Sequence, residues 1–149
     1  MGVIRHGILE DFQRHIRLRM QTCNEFCGIY IATNIGDFES WMEYFIRSGN
    51  DIGIYIATPS PVSIIEGVAG PVWDRVEFEV KVIENTLTNT SNRSAVNIAE
   101  KICGYLHLQA IGLEHWHGKI ALKRSDNWEQ KFEYGHSEVT LRFEGMLSL

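Results

Sequence analysis

From Val76 to Val82 the chain alternates without a slip, with Val76, Phe78, Val80 and Val82 in one set and Glu77, Glu79 and Lys81 in the other. Successive side chains of a strand point to opposite faces, so this run predicts a strand with one buried and one solvated side. Near the C-terminus Val139, Leu141 and Phe143 alternate in the same way with Glu138, Thr140, Arg142 and Glu144. The C-terminal region reads as three strands, Lys119–Lys123, Trp128–Tyr134 and Ser137–Met146, joined by turns at Ser125-Asp126-Asn127 and Gly135-His136.

The rest of the chain supplies helices and shorter strands. Ile8, Phe12, Ile16 and Met20 fall at four-residue spacing, widened by Leu9 and Cys23, which predicts an amphipathic helix over roughly residues 6–24. An uninterrupted hexapeptide, GIYIAT, occurs at Gly28–Thr33 and again at Gly53–Thr58. Both copies read as strands, being β-branched and aromatic between Gly and Asn or Pro. Between them, Phe38, Trp41, Met42 and Phe45 form a helical stripe behind Asp37 as N-cap, with Ser48-Gly49-Asn50 as the stop. Strand, helix, strand over this length allows a parallel pair with a crossover. Two copies fall short of a solenoid, so similar core constraints account for the repeat. All three prolines, Pro59, Pro61 and Pro71, lie in residues 59–71, which read as a loop or an edge excursion. The polar run Asn85–Asn92 has no periodicity, and a helix starts near Ser94 with Ala95, Ile98, Ala99, Ile102 and Leu106 on one face. The expected fold class is α+β: a mostly antiparallel sheet, an N-terminal helix and two further helices packed on one face. A length of 149 residues suits one domain, 1–149.

Charge narrows the function classes. A net charge of −5 excludes a generic basic nucleic-acid binder. No apolar run approaches the ~20 residues of a membrane span, and the charged N-terminus lacks the apolar region of a secretory signal. Gly2 is followed by His6 where a myristoylation signal has Ser or Thr. Residues 93–124 hold five basic and two acidic side chains, residues 126–144 hold five acidic and two basic, and residues 37–51 are also acidic, at −3. Solvated faces produce such blocks, and opposite patches on one chain also suit head-to-tail contact between copies.

Catalytic signatures are missing. The sequence has no G-x-S-x-G, no G-x-G-x-x-G or Walker loop, and no activated cysteine pattern. His115-Trp116-His117 would place two imidazoles on one face of a strand, with His107 or Glu114 as a third ligand, but no HExxH or clustered Cys/His spacing accompanies it. Three cysteines, Cys23, Cys27 and Cys103, make no even framework and read as reduced, buried small apolar residues of a cytosolic protein. Trp41, Trp73, Trp116 and Trp128 are spread like core and interface anchors. No catalytic residue, metal or cofactor is expected.

One stretch carries a family resemblance. Gly70–His107, GPVWDRVEFEVKVIENTLTNTSNRSAVNIAEKICGYLH, has in order a Gly70-Pro71 turn, the alternating strand Val76–Val82, Glu84-Asn85, a polar loop with Asn89, then Ala99-Glu100 and Leu106-His107 in the helix. It resembles the tail terminator, or tail completion, proteins of long-tailed bacteriophages and prophages. Two positions depart: Thr86 stands where relatives often have Pro, and Ser91-Asn92-Arg93-Ser94 replaces a Gly-Thr-Gly-like turn. The resemblance implies a structural protein without enzymatic activity. It would form a head-to-tail ring, commonly a hexamer, that caps the tail tube, ends its polymerisation and offers a surface to the head–tail connector. Its partners would be other copies of itself, the major tail tube protein and the connector, with no nucleic acid and no membrane. It would reside in the host cytoplasm during assembly and then in the virion tail. The loop Asn85–Asn92 borders two rigid elements and is rich in donors and acceptors, so Asn85, Asn89 and Arg93 are the candidate interface residues. Two other readings stay open: a small metal-dependent enzyme using His107, His115 and His117, and a non-viral α+β ligand-binding domain.

Overall fold

A computed structural model describes residues 7–33, 38–64, 73–113, 116–133 and 135–147. Its centre is a pair of long antiparallel strands, β4 (Trp73–Asn85) and β7 (His136–Leu147), in register from Arg75 opposite Met146 to Asn85 opposite His136. Each is flanked by two shorter strands laid end to end. On one side β2 (Ile52–Ile56) and β3 (Ser60–Ile64) both pair antiparallel with β4. On the other, β5 (Trp116–Leu122) and β6 (Trp128–Glu133) both pair antiparallel with β7. Strand β1 (Tyr30–Thr33) joins β2 in parallel and completes a seven-stranded sheet. The helices are α1 (Ile8–Gln21), α2 (Phe38–Arg47) and α3 (Ala95–Leu106). The chain is therefore α+β with a mostly antiparallel sheet.

The alternation of β4 governs the main core. Val76, Phe78, Val80 and Val82 are all buried, and they join Val139, Leu141 and Phe143 of β7 in one cluster with α1 and α3. Ile98, Ile102 and Leu106 of α3 belong to it, as the helical spacing predicts. Phe12 of α1 stacks on Trp116 at 4.1 Å between centroids and meets Phe78 edge-on at 5.1 Å, while Phe78 stacks on Phe143 at 5.3 Å. Buried Gln13 of α1 donates through Nε2 to the Ile56 carbonyl, 2.7 Å away, and so satisfies a backbone acceptor at the end of β2.

The helices do not share one face, which corrects the sequence expectation. Ile31, Ile52, Ile54 and Ile56 turn towards α1 and α3, whereas Ala32, Tyr55 and Ile83 cluster with Trp41 and Phe45 of α2 on the opposite face. Strand β2 is buried on both sides and reads as continuously apolar, so alternation was no guide there. Gly53 makes the second packing possible. A Cβ at that position would lie 2.7 Å from the buried Phe45 ring, so the residue's lack of a side chain is what lets α2 approach. The two GIYIAT copies pair two residues out of step, Ile31 opposite Ile54 and Ala32 opposite Tyr55. An even offset leaves each residue type facing the same side in both strands.

Other boundaries shift modestly. α1 is shorter than 6–24 and gives way to a 3-10 turn at Asn24–Phe26. Within the proline-bearing stretch Ser60–Ile64 is a strand, and Pro61 is accommodated because among the described residues β3 pairs with β4 alone. Gly49, at φ +70°, ends α2 where a stop was expected, whereas Asp37 lies outside the described residues. No described helix is long and apolar enough to cross a membrane.

Replacing Phe78 with Ala removes the ring shared by Phe12 and Phe143 and is expected to cost about 3–5 kcal/mol in a denaturant titration. A loss below about 1 kcal/mol would contradict the facing of β4.

Candidate functional site

The loop between β4 and α3 sits at one end of the sheet and is built around Glu84. That residue has the same parity as Val80 and Val82, so its carboxylate lies on the α3 face. Oε1 accepts from the Ala95 N–H at 2.9 Å and Oε2 from Asn89 Nδ2 at 3.0 Å. A carboxylate at the first turn of a helix meets unsatisfied N–H groups and the positive end of the helix dipole. Ser94 adds the N-cap, its Oγ accepting from the Asn97 N–H at 3.1 Å. Strand end, loop and helix start are thereby locked together.

The three residues singled out from the sequence converge here. Asn85 is buried; its Oδ1 accepts from the Leu87 N–H at 3.2 Å, and its own N–H donates to the Asp51 carbonyl at 2.8 Å. Asn89 donates through Nδ2 to the Arg93 carbonyl at 2.7 Å and accepts at Oδ1 from the Ser91 N–H and hydroxyl, at 3.0 and 2.7 Å. Arg93 reaches across to donate to the Cys27 carbonyl at 3.0 Å. Asn85 Oδ1 and both ends of the Asn89 amide thus bond within the loop or to the strand and helix start beside it, and they shape it. The residues turned to solvent are 86–88 and 90–92. Leu87, 67% exposed, lies against Gly135 of the β6–β7 turn, and Thr88 donates to Asp51 Oδ1 at 2.9 Å. A groove of about 230 Å³ runs beside the loop between Ser91 and Arg93 on one side and Gly28, Gly49 and Asp51 on the other. Glu84 and Asp51, which hold the loop in place, had no separate signal in the sequence as pins; Glu84 entered only through the family pattern.

A second concave feature lies on the charged face of the sheet. The β2–β3 line is interrupted at 57–59 and the β5–β6 line at 123–127, and these breaks flank a groove of about 460 Å³ floored by Glu77, Glu79 and Arg142. Arg142 donates through Nε to Glu79 at 2.9 Å, through Nη2 to Glu129 at 2.6 Å and through Nη1 to the Asp126 carbonyl at 3.2 Å. Lys123 pairs with Glu77 at 3.1 Å, and Lys81 with Glu138 at 3.2 Å. Part of the acidic block 126–144 is therefore engaged within the sheet. The hydrogen bond from Arg142, helped by Lys131, holds the Glu129 carboxyl below the usual range, so it stays ionised at neutral pH and is a poor proton donor.

The imidazoles are not assembled by the described residues. His107 follows α3, and its Nδ1 accepts from the Leu122 N–H at 3.0 Å. His115 lies outside the described residues, and His117 is described by its backbone alone, opposite Met146. Among the described residues no group of three or more His, Cys, Asp or Glu side chains could hold a metal ion. Cys23 and Cys103 pack against the core but are half-buried and Cys27 is exposed, whereas the sequence predicts all three buried; partial burial pushes the Cys103 thiol up.

No protein-family model matches the sequence, and no curated protein matches it. A solved structure without a functional name is similar over 96% of this chain and 98% of its own length, with a TM-score of 0.55 and 12% identity. At that identity the likeness speaks for the fold alone.

The Arg142 cluster predicts an acid-dependent stability. Glu129 has a lowered folded-state pKa, so its contribution is present above the unfolded carboxylate value of about 4.3 and is lost as pH falls through the folded value. Arg142→Met leaves Glu79 and Glu129 without their shared cation. Wild type is expected to melt above this variant at pH 7, by a modest gap for so exposed a pair, and the gap is expected to narrow below about pH 4. A gap that stays constant or widens towards acid would contradict the cluster.

Proposed function

We propose that this chain is a structural component of a phage or prophage tail, a terminator subunit that forms a head-to-tail ring on the end of the tail tube. The reading rests on the Gly70–His107 resemblance. Within its described part, the pattern residues fall on β4, the pinned loop and α3: Val76–Val82 in the strand, Glu84 and Asn85 at its end, Asn89 in the loop and Leu106-His107 at the close of the helix. A cap needs a rigid body that presents a fixed surface at one end, and a loop held on both sides by backbone and carboxylate contacts supplies one.

In this reading the solvent-facing residues 86–88 and 90–92, with Arg93, meet the tube or the neighbouring subunit, while Asn85 and Asn89 hold the loop in shape. A heterologous contact uses two different patches and closes when the rotation between subunits divides a full circle; six copies do so. The basic block 93–124 and the part of 126–144 left outside the Arg142 and Lys81 pairs would contribute mainly to association rate and salt sensitivity. The tube protein sits below such a ring, the head–tail connector above it, and assembly takes place in the host cytoplasm before the ring becomes part of the virion.

The test is genetic. Deleting the gene from the phage or prophage that carries it is expected to yield tails of abnormal length or tails without heads in electron micrographs. Normal, infectious particles would overturn the reading.

A further inference from the structure

We propose that β6 is a contact edge through which two copies of this chain join their sheets, antiparallel, about a two-fold axis at Gln130. The two strands on the outer side of β7 differ in how their edges are treated. The edge of β5 is covered by the segment after α3: Leu108 N–H donates to the Ile120 carbonyl at 2.7 Å, Ile120 N–H to Gln109 at 2.9 Å and Ile111 N–H to Gly118 at 3.2 Å. No described residue covers β6 in this way. Gln130, Lys131, Phe132 and Glu133 are all exposed, and Phe132, at 73%, is the most exposed large hydrophobic among the described residues. The principal strand contacts of α3 are with β4, β7 and β5. An open strand edge is a template for another strand.

The hydrogen-bond phase of β6 decides which residues face outward. Arg142 N–H donates to the Asn127 carbonyl, and Trp128 stands opposite Leu141. In an antiparallel ladder bonded and non-bonded pairs alternate, so Glu129, Lys131 and Glu133 bond to β7 while Trp128, Gln130 and Phe132 turn their backbone groups away from it. Two copies of WEQKFE can then pair with Gln130 opposite Gln130 of the second copy. In that register Trp128 and Phe132 lie opposite Phe132 and Trp128 of the second copy, all as bonded pairs. Glu129 and Lys131 lie opposite Lys131 and Glu129 of the second copy, in the closer non-bonded pairs. Both kinds of pair are favourable across strands.

The charges also select this register. Sliding the second copy by two residues in either direction sets Glu129 against its own counterpart or Lys131 against its own, and directly opposed like charges are unfavourable. Lys131 acts on Glu129 through its charge but has no described carboxylate within ion-pair distance, and a cation on an edge usually blocks pairing. Here the strand carries the matching anion two positions away. The partner that fits the edge is therefore a second copy. This contact is isologous and lies apart from the loop end, so it stands whether or not the head-to-tail ring forms.

Gln130→Cys tests the register under mild oxidation. Bonded antiparallel pairs have Cα atoms about 5.5 Å apart, within the disulfide range of about 4.4–6.8 Å. The Gln130→Cys variant is expected to give several-fold more disulfide-linked dimer than Glu133→Cys, whose position faces Asn127 of the second copy, or than wild type with its native cysteines. Gln130→Pro removes an outward N–H for which no described residue is an acceptor; it is expected to sediment as a monomer with an unchanged melting temperature where wild type dimerises with rising concentration. Equal cross-linking at 130 and 133, no cross-linking above wild type, or a Gln130→Pro variant that dimerises like wild type would each overturn the contact. Rings of six without cross-linking at 130 would sink this contact and leave the ring standing; cross-linked pairs without rings would do the reverse.

Discussion

Eleven consecutive residue pairs join β4 to β7, and the described helices and shorter strands are arranged around that ladder. Its strands are long enough that each supports two shorter strands on its outer side, and the interruptions between those shorter strands create the groove on the charged face. On the other face the ladder presents Val76, Phe78, Val80 and Val82 beside Val139, Leu141 and Phe143, a continuous apolar surface that α1 and α3 cover. Glu84, at the end of β4, carries the ladder's rigidity into the loop and into the first turn of α3.

Much of this was legible from residue periods. The alternation of β4 and β7 placed their buried side chains correctly, and the helical spacing after Ser94 placed Ile98, Ile102 and Leu106 in the same core. What the period could not reveal was the second core. Strand β2 is apolar on both faces, and which face a neighbouring helix covers depends on close approach at Gly53, a contact between residues from different elements. A glycine inside a β-branched run signals such an approach without saying from which side.

The loop was visible as a polar, aperiodic segment, but its internal wiring was not. The polar side chains of Asn85 and Asn89 read as contact groups in the sequence, but Asn85 Oδ1 and the Asn89 amide bond to the loop and to Glu84. Their part is to hold a shape, which shifts the weight of any contact with a partner to exposed neighbours such as Leu87 and to Arg93. The Arg142 cluster was equally hidden. Alternation put Glu79 and Arg142 on outward faces, but only the register between β4, β7 and β6 brings Glu129 to the same guanidinium.

In the proposed tail reading, the rigid ladder presents the loop at its end to other tail proteins. Hydrogen exchange measured on the chain alone and on the chain assembled with tail tubes tests it most directly. The account predicts that amides within 76–84 and 137–145 exchange slowest in both states, while amides of 86–93, already slowed by bonds such as Asn89 N–H to the Asn85 carbonyl, exchange slower still on assembly. Loop amides that exchange equally in both states, with new protection confined to α1 or α2, would contradict it.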